Sequence, residues 1–82
     1  MAERTVRSPL PGTFYRRPSP EAEPFVKEGD AVATGDVIGL VEVMKTYYEL
    51  KADQDGVADR FMIEDAGPVD AGDDVLALRD TH

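Results

Sequence analysis

Cysteine is absent from the 82 residues, and the one histidine, His82, is the last of them. Disulfides, thiolate zinc sites and cysteine nucleophiles are therefore excluded. So are a Ser-His-Asp arrangement and a histidine metal cluster. Basic residues are scarce: nine against 17 acidic ones, for a formal net charge of -8. Sequence-independent nucleic-acid binding needs Lys and Arg to neutralise phosphates, and adhesion to anionic membranes needs them too. Neither is expected of this chain. No run approaches the roughly 18–20 consecutive apolar residues of a membrane-spanning helix. The start, Met1-Ala2-Glu3-Arg4-Thr5, has no signal-like apolar stretch. A cytoplasmic location is the default expectation.

Helix is disfavoured as well. Seven glycines and six prolines interrupt every candidate window. A chain of this length is expected to form one domain, 1–82, with a thin core and little room for a catalytic cleft beside it. That points to a module that carries, binds or connects. The acidic balance would repel like copies and could steer the module to a basic partner surface, although plain solubility or an acidic proteome is the simpler account.

What remains is a series of short strands separated by turns. Strands are expected at Thr5–Arg7, Gly12–Tyr15, Val37–Val43, Tyr47–Lys51, Val57–Ile63 and Val75–Leu78. Ser8-Pro9-Leu10-Pro11-Gly12 reads as a kinked connection, because proline removes ladder donors. Arg16 to Pro24, with three prolines, reads as a surface loop. Lys27-Glu28-Gly29-Asp30 and Asp53-Gln54-Asp55-Gly56 read as turns.

A repeat is visible at a constant spacing of 37 positions. It pairs Val26 with Ile63, Glu28 with Asp65, Val32 with Val69, Gly35 with Gly72, Asp36 with Asp73, Ile38 with Val75 and Val41 with Leu78. Two similar half-motifs folded on each other would have pseudo-twofold symmetry. Lys45 would then relate to position 82, at the opposite end of the domain from its own hairpin.

The most informative stretch is Val41-Glu42-Val43-Met44-Lys45-Thr46-Tyr47-Tyr48-Glu49-Leu50. Two strand-like runs meet at Met44-Lys45 with no Gly, Pro or Asn to make the turn. A hairpin tipped by lysine makes Lys45 a candidate for covalent modification; the alternative is an ordinary solvated lysine. Lys27 and Lys51 lie at no comparable tip and read as solvated. Glu42, three residues before Lys45, is either a recognition contact or a solvated strand residue. Tyr47 and Tyr48 alternate across a strand, so one is expected in the core and the other outside.

Three segments carry a resemblance that runs from about Arg7 to Arg79. They are Ser8-Pro9-Leu10-Pro11-Gly12-Thr13-Phe14-Tyr15-Arg16, the proline-rich loop at about 17–25, and Glu42-Val43-Met44-Lys45-Thr46. Together they resemble the biotinyl/lipoyl attachment family, and within it the biotin carboxyl carriers of acetyl-CoA carboxylase. In that likeness the loop is the protruding thumb-like insertion, which lipoyl domains lack. The last segment stands where the family has Glu-Ala-Met-Lys-Met. Val43 replaces the usual alanine, Thr46 the second methionine, and Arg17 a threonine familiar in the thumb.

The resemblance implies an all-β flattened barrel, a barrel-sandwich hybrid of two antiparallel sheets. It implies biotin joined through an amide to Lys45. Met44, Val43, Thr46 and Glu42 would be the flanking residues read by a biotin-protein ligase. Lysine amines are mostly protonated at neutral pH, so the ligase would supply activated biotin and help remove a proton. Further implied partners are a biotin carboxylase and a carboxyltransferase, between which biotin carries a carboxyl group to an acyl-CoA. The chain itself would be non-catalytic, and monomeric as an isolated domain, either free-standing or excised from a longer protein. A lipoyl carrier and an unmodified interaction module of the same fold are the alternatives. Met44 and the thumb-like loop speak against the first, since lipoyl domains typically have Asp before the lysine.

Overall fold

The computed structural model describes residues 4–80. Eight strands follow one another: β1 (Arg4–Arg7), β2 (Gly12–Tyr15), β3 (Ala31–Val32), β4 (Val37–Val43), β5 (Thr46–Lys51), β6 (Gly56–Phe61), β7 (Gly67–Val69) and β8 (Asp74–Arg79). They form two four-stranded antiparallel sheets, ordered β1-β8-β6-β3 and β5-β4-β2-β7. No described residue is helical. The fold is the flattened barrel of two packed sheets expected above. Its extents of 39 × 27 × 20 Å reflect the flattening.

Six strands lie within a residue or two of their expected bounds. β3 and β7 were not anticipated, because strands of two and three residues show no alternation to read. β7 also contains Pro68, whose missing N–H is tolerated because this strand closes the edge of its sheet.

The core lies between the sheets. Phe14, Ile38 and Val41 of the second sheet meet Val6, Val75, Leu76 and Leu78 of the first, all essentially buried. Each such side chain contributes about 1.5–3 kcal/mol by leaving water.

The repeat is built into this packing, and in two registers. The Gly35 and Gly72 turns are alike: φ is +93° and +88°, and Asp36 and Asp73 accept the backbone N–H of Ala33 and Asp70 at 2.9 and 2.8 Å. Gly35 N–H donates to the Ala52 carbonyl and Ala52 N–H to that of Asp36, each at 2.8 Å. Gly72 N–H donates to Ser8 at 2.7 Å and Ser8 N–H to Asp73 at 3.0 Å. Ser8 thus corresponds to Ala52 and Gly12 to Gly56, a spacing of 44 rather than 37. The first half is therefore longer by seven residues, and the surplus lies in the loop after β2. Related core positions exchange bulk. Phe14 and Gly39 in one half correspond to Ala58 and Leu76 in the other, and a methyl on Gly39 would collide with the Phe14 ring.

Under the same symmetry the pair Tyr48–Val41 corresponds to Arg4–Leu78. The β4–β5 hairpin therefore relates to the place where the described chain enters β1 and leaves β8. Position 82, the expected counterpart of Lys45, lies outside the described residues.

Candidate functional site

β4 and β5 pair through Val43–Thr46, leaving Met44 and Lys45 as a two-residue loop. Their φ values are +50° and +66°. Positive φ at both loop positions is the signature of a type I′ turn, whose twist matches that of the strands and which ordinarily takes Asn-Gly. Placing two L-residues with side chains there costs about 1–2 kcal/mol each. Met44 is 93% exposed, and Lys45 and Thr46 are exposed too. Lys27 pairs with Glu23 and Lys51 with Glu49, at 3.4 and 3.9 Å, both at the surface. Lys45 alone of the three lysines has no ion pair among the described residues. An unpaired amine on a strained, exposed turn is presented to whatever approaches.

The flanking residues divide between two faces. Val43 is half-buried and packs against the core. Glu42 points to the outer face, where Tyr15 Oη donates a hydrogen bond to its Oε1 at 3.1 Å. Tyr47, directly opposite Glu42, tilts against the Tyr15 ring at 6.1 Å. The Glu42 carboxylate, by accepting that bond, pushes the Tyr15 phenol above its ordinary 10.0; partial burial and the Glu42 charge act the same way.

Neither hairpin tyrosine is in the core, contrary to expectation. Tyr47 is 58% exposed and Tyr48 46%. The alternation itself is as read: Tyr48 lies opposite buried Val41, on the inner face. But β5 is an edge strand, so Tyr48 lacks on one side the neighbouring strand that helps to bury Val41 on β4. Only Leu50 of β5 is buried.

The loop after β2 leaves the sheet at Arg16 and returns at Phe25, whose N–H donates to the Arg16 carbonyl at 2.9 Å. A turn at its tip is closed by Ala22 N–H on the Ser19 carbonyl, 3.1 Å. Its base is held by Asp65, which accepts the Arg16 N–H at 2.8 Å and stands 3.8 Å from Arg17 Nε. The Arg16 guanidinium lies 4.2 Å from the centre of the Phe61 ring. Between the loop and the outer face of β2, β4 and β5 is a cleft of about 410 Å³. Tyr15, Leu40 and Tyr47 form its floor; Arg17, Pro18, Ser19 and Pro20 overhang it, with Asp65 at one side. Tyr47 is two residues beyond Lys45, about 7 Å along the strand.

Tyr15 and Asp65 were not foreseen as parts of this region. Alternation along β2 puts Tyr15 outside, opposite core Phe14, and was available as a signal. Asp65 was visible only as the repeat partner of Glu28. Nothing local says that one of the pair holds a loop and the other does not.

The family described as "Biotin-requiring enzyme" matches residues 4–78. The chain belongs to this family. Among curated proteins it is 42% identical over 73 residues to the biotin carboxyl carrier protein of acetyl-CoA carboxylase from Haemophilus influenzae, covering 89% of this chain and 47% of that one. It is 46% identical over 65 residues to the chloroplastic biotin carboxyl carrier protein of acetyl-CoA carboxylase 1 from Arabidopsis thaliana, covering 79% and 23%. The chain thus spans half or less of the length of these relatives. Two solved structures share the fold, each with a TM-score of 0.76 and 24% identity over 96% of this chain. They are the Kluyveromyces lactis urea carboxylase and a single-chain, multi-domain long-chain acyl-CoA carboxylase, of which the chain covers 6% and 7%.

Proposed function

We propose that this chain is a biotin carboxyl carrier, with biotin attached through an amide to Lys45. The observation that carries this reading is the turn itself. In a member of a biotin-requiring family, the unpaired lysine sits on a type I′ turn that Asn-Gly would make with less strain. Strain kept at one point is a mark of function.

The residues present suit the group. Met44, Thr46, Glu42 and Val43 surround the attachment point and would form the surface read by a biotin-protein ligase. Tyr15, Leu40 and Tyr47 offer apolar area that would suit the ring, and the thumb-like insertion at about 17–25 would shield it from water. Bound biotin supplies a ureido nitrogen that takes up and releases a carboxyl group; the chain supplies placement. Tethering raises the local concentration of the group at each enzyme it visits. The partners are a biotin carboxylase and the carboxyltransferase of an acyl-CoA carboxylase, with acetyl-CoA as acceptor. The carrier is non-catalytic, cytoplasmic and, as a single domain of residues 1–82, monomeric. Among the described residues no helix is long and apolar enough to cross a membrane.

The test is the intact mass after incubation with biotin, ATP and a biotin-protein ligase. A single biotinyl increment, lost in Lys45→Arg, is expected. No increment, while a standard carrier is modified alongside, would sink the reading for that ligase. A lipoyl increment on protein from the native host would replace it.

A further inference from the structure

Among the described residues Arg17 is the one cation lining the cleft, and most of its donors are idle. Nη1 donates to the Ala22 carbonyl at 3.3 Å. Nε is buried with no hydrogen-bond acceptor, since Asp65 Oδ2 at 3.8 Å is beyond hydrogen-bonding reach. Arg16 also has an unpaired Nε, but its guanidinium is spent on the Phe61 ring and the Val26 carbonyl and does not line the cleft. A buried donor without a partner costs stability, and a carboxylate is the acceptor that a guanidinium edge fits best. The cleft therefore joins an apolar floor to an under-used cationic wall beside an attachment lysine.

We propose that Arg17 reads the charge state of the tethered group, pairing with the carboxylate that the biotin ring carries once it has been charged. This rests on the carrier reading above. Loss of the carboxyl group breaks the ring N–C bond; carbon dioxide leaves, and the electron pair stays on the ring nitrogen, which takes a proton from water. Pairing with Arg17 holds the negative charge on the carboxyl oxygens, opposing that shift of electrons. Asp65 acts in the opposite sense, by competing for the same guanidinium.

The experiment uses the whole biotinylated chain, charged with a biotin carboxylase, ATP and labelled bicarbonate and then separated. Two quantities are read: the half-life of the label, and the Arg17 Nε–H resonance before and after charging. A shifted resonance in the wild type is expected. Half-life should fall about threefold in Arg17→Gln, the loss of one part-exposed ion pair. It should lengthen in Asp65→Asn, which keeps an oxygen for the Arg16 N–H but removes the competing charge. Full biotinylation with equal half-lives and an unmoved resonance would overturn the proposal alone. The proposal also falls if Arg17→Gln changes only amide exchange at Arg16 and Phe25, for Arg17 then merely holds the loop. Absence of biotin on Lys45 would overturn the carrier reading and this inference together.

Discussion

Ala66 holds in the second half of the chain the place that Gly29 holds in the first. Gly29 N–H donates to the Ala58 carbonyl at 2.8 Å, and Ala66 N–H donates to that of Phe14 at 2.7 Å. Both are left-handed, with φ of +96° and +65°. Glycine takes that conformation freely; alanine does not. Ala66→Gly should therefore stabilise the fold by about 0.5–1 kcal/mol, after the added freedom of the unfolded chain is deducted. Gly29→Ala should destabilise it by about 1 kcal/mol, purely through the backbone, since a Cβ there meets nothing within 4 Å. Urea midpoints of the two variants check both signs.

The hairpin turn offers a larger gain at the expense of function. Replacing Met44-Lys45 by Asn-Gly should raise stability by about 1–3 kcal/mol, because that pair suits the type I′ turn. The same double variant should take up no biotin. A thermal unfolding curve and an intact mass on one sample test the two halves of this prediction. A variant no more stable than wild type would mean that the turn is unstrained.

Tyr15 should ionise above the ordinary phenol value of 10.0, because its hydroxyl donates to Glu42. Since folding raises this group's pKa, its contribution to stability is full below the unfolded value. It is lost as pH rises through the folded one. In Glu42→Gln the titration should move back towards 10.0. The ring-carbon resonance of Tyr15, followed by NMR through the alkaline range, distinguishes it from Tyr47 and Tyr48.

At the acid end, Asp74 and Asp55 have the opposite sign. The Thr5 hydroxyl and Arg7 hold the Asp74 carboxyl below its ordinary 3.8; the Thr34 backbone N–H and hydroxyl do the same for Asp55. Their contribution is present above the unfolded value and is lost as pH falls through the lower folded one. Unfolding free energy should decline below about pH 4. The slope should be shallower in Asp74→Asn. Denaturant titrations between about pH 2 and 5 would show it.

Much of this architecture can be read from the chain, and the failures have physical causes. Strands long enough to alternate, such as β4, declare themselves, and so do turns with Gly-Asp at fixed spacing. β3 and β7 are pinned by partners distant in sequence, so no local pattern reveals them. The constant spacing of 37 found the second part of each half and missed the first, where the surplus loop shifts the register to 44. The hairpin tip at Lys45 is legible because its turn lacks the usual residues. The Tyr15–Glu42 bond and the Asp65 clamp are not, because each joins residues that only the folded sheet brings together.

The seven-residue surplus in one half makes the two sides of the body unlike. A body made of two like halves has two sides that share one framework of strands and turns. The proline-rich loop stands on one side only, against the sheet that carries Lys45. It gives that side an outline that the other half of the body lacks.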